Sequence, residues 1–143
     1  MVNIRIELGE IKIRGKQSVR TAKGISYIPK ATRDFQKILM NAYLEHYDAV
    51  RRLNFQKAYM FKPCALSMTI TCFFKIPVSW SKKKQAEHLN KPMTSRPDCD
   101  NIAKLVADTF NEHIYKDDSQ IVKLNVSKRW ADKNLMEITI TAI

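Results

Sequence analysis

Apolar and polar residues alternate strictly at the start of the chain, where Val2, Ile4, Ile6 and Leu8 are separated by Asn3, Arg5 and Glu7. A period of two marks a strand with one buried face. The basic stretch IRGKQSVRTAKG follows, with Arg14, Lys16, Arg20 and Lys23 set among small residues; it has no period and reads as a loop. Pro29 then introduces residues 32–53, free of Gly and Pro, in which Phe35, Ile38, Leu39, Ala42, Tyr43, Tyr47 and Val50 recur at helical spacing. Leu66, Met68, Ile70, Cys72, Phe74 and Ile76 alternate with Ser67, Thr69, Thr71 and Lys75, a second strand that Pro77 ends. A short helix is expected from about Ser81. The stripe Ile102, Leu105, Val106, Thr109, Phe110 and His113 predicts a second long helix over 100–113, and Asp117-Asp118-Ser119 a turn. The segments QIVKLNVSKRW and LMEITITAI, joined by Ala-Asp-Lys-Asn, predict a closing antiparallel hairpin. The order β-α-β-(short α)-α-β-β describes one α+β domain over 1–143, with a mixed sheet of about four strands and two main helices.

Composition narrows the function. A chain of 143 residues can bury a core of its own. No apolar run approaches the roughly 20 residues of a membrane span. The amino-terminal residues alternate and include acids, unlike a signal or transit peptide, so a cytoplasmic protein is expected. Cys64, Cys72 and Cys99 are odd in number and lack C-x-x-C spacing, which fits neither a disulfide framework nor a zinc site. The formal net charge is +11, and it is unevenly placed: residues 51–95 hold nine Lys and Arg against one acid, residues 96–143 seven against eight. A solvated surface explains the excess but not the segregation. A polyanionic partner, nucleic acid first, explains both.

Against that background the acids stand out. Asp98 and Asp100 open the second long helix, and Asn101, Lys104, Asp108, Asn111 and Glu112 follow at spacings near three, four and seven, opposite its apolar stripe. One Asp serves as a helix cap, worth around 1 kcal/mol, and Lys104 with Asp108 makes an ordinary surface pair worth about 0.3–0.5 kcal/mol. One cap needs only one Asp. Were Asp98, Asp100 and Asp118 to converge, each pair about 4 Å apart would repel by roughly 4 kcal/mol at an effective dielectric near 20. Such a cluster needs a cation, and oxygen-only ligands select Mg²⁺ or Mn²⁺. Caps and turns on one side, a metal cage on the other, both account for the spacing.

RPDCDNIAKLVADTF…IYKDDSQIV resembles the signature of the RusA-type Holliday-junction endonucleases, D-x-D-N-x-x-K-x-x-x-D followed by a D-D-x-Q-V-like turn. IPVSWSKKKQAEHL is similar to the family's I-P-x-S-W-S-K-K-K segment, and SYIPKATRDF to its entry into the first helix. The likeness runs in order from about residue 10 to 143. It implies a Mg²⁺-dependent endonuclease (Mn²⁺ as the alternate ion) that cuts four-way DNA junctions in recombination and repair, works as a homodimer, and often belongs to phages and prophages. It places the metal-binding aspartates at Asp98, Asp100 and Asp118 and the required lysine at Lys104, with Asn101 and Asp108 as supports that orient them. Asp117 is expected to shape the turn and Cys99 to pack. Where relatives carry a K-x-R-P-R-like cluster after the first strand, this chain has GKQSVRTAKG, so DNA contacts are assigned to Lys16, Arg20 and Lys23 by charge alone. Lys82, Lys83, Lys84 and Arg96 complete the expected DNA-binding set. The three lysines fall in the first turn of the short helix, where the helix dipole disfavours them, so an external anion is the expected partner, with a solvated charge run as the alternative. Trp80 is expected to be a buried anchor for its loop rather than a base-stacking platform. A non-catalytic nucleic-acid-binding module, and a metal-dependent nuclease for other branched DNA or RNA, are the competing functions.

Overall fold

The computed structural model of the chain describes residues 1–52 and 59–143. Its elements are β1 (Val2–Gly9), β2 (Arg20–Ala22), β3 (Ile25–Tyr27), α1 (Lys30–Arg52), β4 (Leu66–Lys75), α2 (Lys82–His88), α3 (Cys99–Phe110), β5 (Ile121–Ala131) and β6 (Asn134–Ala142), with one 3₁₀ turn at Asp118–Gln120. Leu53, the predicted end of the first helix, lies outside the described residues, as do the side chains of Val50, Arg51 and Arg52.

The period-two strands bury what they should. In β1 the even positions are buried and the odd ones exposed, and β4 repeats the pattern with Leu66, Met68, Ile70, Cys72 and Phe74 inward. Phe35, Leu39 and Tyr43 of α1 and Ile102, Leu105, Val106 and Phe110 of α3 join that face in one core. Tyr43 meets Phe110 edge-on, with centroids 6.0 Å apart. Tyr47 ties α1 to the sheet margin: its hydroxyl accepts from the Asn3 amide at 2.9 Å and donates to the Asn3 carbonyl at 3.0 Å.

Three expectations change. The predicted closing hairpin does not form, because the sheet order is β1-β6-β4-β5 and β4 lies between β5 and β6. β4 runs parallel to β5 and antiparallel to β6. Crossing over the end of β4 spans two strand spacings, about 9.6 Å; the three steps from Ala131 to Asn134 reach about 11.4 Å. The Asn134 side chain completes the crossing, its Oδ1 accepting the Lys75 amide at 2.9 Å. Second, the basic stretch is no plain loop. Arg20–Ala22 pairs with Ile25–Tyr27 through a turn whose Lys23 and Gly24 both have positive φ, 51° and 74°, as a two-residue hairpin turn requires. Third, α3 stops at Phe110 rather than at 113. Asn111 leaves the helix at ψ 135°, Glu112 takes φ 60°, and His113 is exposed while Ile114 and Tyr115 are buried. No described helix is long and apolar enough to cross a membrane.

Candidate nucleic-acid and metal site

Helix α3 carries most of the candidate site residues, and its first turn is the better-built end. Asp98 occupies the N-cap position in extended conformation, yet its carboxylate makes no capping hydrogen bond. The cap explanation therefore fails for Asp98: its oxygens remain available. Lys128 of β5 holds the approach, donating from Nζ to the carbonyls of Ser95 at 2.6 Å and Pro97 at 2.8 Å. Beside it opens a cleft of about 510 Å³ lined by Lys12, Arg14, Lys16, Arg96, Asp98 and Asn101, among others. One acid thus sits at the edge of a pocket with four cations, an electrostatic arrangement suited to a phosphate.

The far wall of that cleft is the segment after β1, docked on α3. The Lys16 amide donates to the Asn101 carbonyl at 2.8 Å, and the Lys16 ammonium pairs with Asp108. Gly15 fits where no side chain could: a Cβ there would lie 2.7 Å from Asn101 Cβ and 3.2 Å from the Asn101 carbonyl carbon. Asp108 is therefore taken by Lys16, not by Lys104, and the expected Lys104–Asp108 surface pair is absent. Lys104 is exposed and makes no ion pair among the described residues.

The turn acids Asp117 and Asp118 lie at the opposite end of the helix. Asn111 Oδ1 accepts the Asp118 amide at 2.9 Å. Asp117 shapes the turn, as expected: it accepts from the Ser119 amide at 2.8 Å while Gln120 reaches back to the Asp117 amide at 3.2 Å, a reciprocal cap. Asp118 is free of that duty. Partial burial, then Asp117, then the charge of Asp108 push its carboxyl above the ordinary range. Burial likewise weakens the acidity of Tyr115, whose hydroxyl donates to the Ala107 carbonyl at 2.8 Å, with Asp118 and Asp108 adding to the effect.

The fold thus gathers Asp98, Asn101, Lys16 and Arg96 around one cleft. Asp100 and Lys104 stand on the exposed edge of α3, and Asp118 lies past its end. At 1.5 Å per residue, Asp100 and Asn111 are about 16 Å apart along the axis. Among the described residues no three Asp, Glu, His or Cys side chains come together as a metal cage. Two unengaged carboxylates, Asp98 and Asp100, still suit a hard ion such as Mg²⁺, which commonly takes one or two protein carboxylates and completes its shell with water and substrate phosphate.

The model of the family described as endodeoxyribonuclease RusA matches residues 9–141. The chain belongs to that family. Two curated relatives share part of its length: a protein of Bacillus subtilis strain 168 called YqaN and described as uncharacterized, 39% identical over 82 residues, and a crossover junction endodeoxyribonuclease of Lactococcus phage r1t, 37% identical over 83 residues. The matches cover 54% and 57% of this chain, and 58% of each relative. RusA-family nucleases depend on a metal.

Within this RusA-family chain the remaining basic residues form separate groups. Lys82, Lys83 and Lys84 are exposed in the first turn of α2, with Ser81 Oγ accepting the Lys84 amide at 3.2 Å and no acid in that turn to balance them. Arg20 and Lys23 are exposed on the β2–β3 hairpin, and no described hydrogen bond or ion pair links them to α3. Sequence reasoning missed Lys12, Gly15 and Lys128, and named Asn111 only for its place on the polar edge of the helix. Gly15 had a signal, a lone glycine between two cations. Lys128 had none, since it looked like any outward residue of a strand.

Proposed function

We propose that the chain is a Mg²⁺-dependent, structure-selective endonuclease of the cytoplasm that resolves four-way DNA junctions in recombination and repair, acting as a two-fold symmetric homodimer. The observation that carries the reading is Asp98: an acid at the N-cap of α3 that does not cap, beside a pocket of four cations, in a chain of the RusA family. Structural duty leaves that carboxylate unexplained, and phosphodiester hydrolysis needs it.

In this reading Asp98 and Asp100 hold the ion, which when bound supplies a nucleophilic water at neutral pH and relief for charge on the phosphate oxygens. Lys12, Arg14 and Arg96 draw the DNA backbone into the cleft. Lys104, free of any ion pair among the described residues, neutralises charge on the scissile phosphate. Asn101 and Lys128 keep the start of α3 in place, and the Asp108–Lys16 pair fastens the basic segment to it. Two matched cuts in opposite strands call for two equivalent sites. A dimer also answers the distance between the acids: two copies of α3 packed antiparallel by their exposed edges set Asp118 of one subunit beside Asp98 and Asp100 of the other.

The test is cleavage of a synthetic four-way junction with and without Mg²⁺ or Mn²⁺, against linear duplex, flap and RNA controls. Paired symmetric nicks that need the ion are expected. Binding without cleavage under every divalent ion would leave a non-catalytic module, and preference for flap or RNA a nuclease of another substrate.

A further inference from the structure

A second cleft, of about 540 Å³, lies between α2 and the end of β5, and its walls include Trp80, Lys84, His88, Lys91, Ser95 and Trp130. Its floor is fixed by backbone pairing: the Asn90 amide donates to the Trp130 carbonyl at 3.0 Å, Trp130 to Lys91 at 2.9 Å, and Met93 to Lys128 at 3.2 Å. The Gln85 side chain donates to the Trp80 backbone carbonyl at 2.8 Å, a main-chain tie, while the Trp80 indole is half-buried and not the buried anchor expected of it. The two rings meet edge to face with centroids 5.1 Å apart, the His88 ring stands 4.9 Å from Trp80, and both indoles stay half-buried in an open cleft. Lys84 Nζ stands 4.0 Å from the Trp80 ring centroid, and Lys91 is exposed on the same rim.

Half-exposed indoles with Lys84 and Lys91 on the rim, beside the single lining acid Glu87, are good chemistry for a nucleotide: aromatic surface for the base and cations for the phosphate. The position suits a DNA strand as well, since the wall residue Ser95 stands three positions before Asp98. We propose that this cleft receives one unstacked base of the bound DNA, the base lying against Trp80 and Trp130 and its phosphate meeting Lys84 and Lys91. The proposal takes its ligand from the DNA-cleaving reading above. At a branch point or a strand opened around it, bases come free of their stack, and a site of this kind holds them in that state.

The chain has only two tryptophans, Trp80 and Trp130, so intrinsic indole emission reports on this cleft alone. The full chain is titrated in EDTA with a short oligothymidylate and with an abasic deoxyribose-phosphate oligomer of equal length, following emission together with anisotropy of a labelled strand. The base-bearing strand should bind and quench, and the abasic one should bind more weakly without quenching. Trp130→Ala should weaken binding by about 5- to 150-fold, the loss expected for one stacked base. Trp80→Phe and Trp130→Phe, which keep the packing, should each leave one quenchable indole. Equal quenching by the abasic strand, or tight binding with unchanged emission, overturns the proposal. If the same preparations nick a four-way junction when Mg²⁺ is restored, the nuclease reading stands while the cleft falls; if no DNA binds at all, both fall.

Discussion

Gly15→Ala is the sharpest probe of how the basic segment serves the site. Its φ is not in the left-handed region, so the backbone tolerates alanine and only the close approach is at stake. The new Cβ would stand 2.7 Å from Asn101 Cβ and 3.2 Å from the Asn101 carbonyl carbon. Those atoms belong to the first turn of α3 and cannot swing away as the tip of a long side chain would. Keeping the segment docked against that overlap costs about 1–3 kcal/mol. Lifting only residues 14–16 costs the Lys16–Asn101 backbone hydrogen bond, about 0.5–1.5 kcal/mol, and the half-exposed Lys16–Asp108 pair, about 0–1 kcal/mol. Lifting the whole segment would also expose Ile13, which is buried in the core, at about 1.5–3 kcal/mol more. Ile13 and Lys12 therefore stay in place and only residues 14–16 lift. The expected loss is about 1–2 kcal/mol, a fall in Tm of about 3–8 °C for a chain this size. Arg14 and Lys16 leave the cleft. Calorimetry or urea unfolding measures the first effect. Junction binding across a salt series measures the second: its slope should fall by about 0.9 for each phosphate that the lifted segment no longer neutralises. Gly24→Ala is the control: it meets nothing within 4 Å but must hold φ +74°, so its strain stays in the hairpin and should leave the salt slope alone. A Gly15→Ala protein with wild-type stability and salt dependence would refute the docking argument.

Asp98→Asn should abolish cleavage while leaving stability within about 0.5 kcal/mol of wild type, a surface substitution that removes no cap bond; junction binding should hold or improve, and full activity would remove Asp98 from the site. Replacing Lys82, Lys83 and Lys84 with Gln should flatten the salt dependence of binding by about 0.9 log units for each phosphate these lysines neutralise, and an unchanged slope would return them to solvent. Cys72 is fully buried, and burial, with a smaller contribution from Cys99, pushes its thiol up to about 12 from an ordinary 9.0. At pH 8 a thiol reagent should therefore modify at most the half-buried Cys64 and Cys99, reaching Cys72 only on unfolding. Because the raised value favours the protonated thiol in the folded state, its contribution to stability is intact below pH 9 and drains away as pH climbs towards 12. Labelling of Cys72 in the native protein at pH 8 would contradict that burial.

The burial of individual residues was legible from one dimension, because periodicity is a local property. Val2 to Leu8 and Leu66 to Phe74 announced which face of each strand would be buried, and the Ile102–Phe110 stripe which side of α3 would face inward. The motif around Asp98 and Lys104 pointed to the family that the match over 9–141 bears out. Pairing was a different matter. The link between β5 and β6 is as short as a hairpin turn, and only the third strand, β4, competing for both neighbours with buried side chains on its inner face, decided that the two would be held apart. Long-range packing likewise decided the site. That Asp108 answers Lys16 rather than its helical neighbour Lys104, that Lys128 clamps the residues before Asp98, and that Asp98 and Asp118 sit at opposite ends of α3 all depend on segments far apart in the chain. Spacing along a helix fixes which residues share an edge; only the packing of other segments against that edge settles which charges are left free.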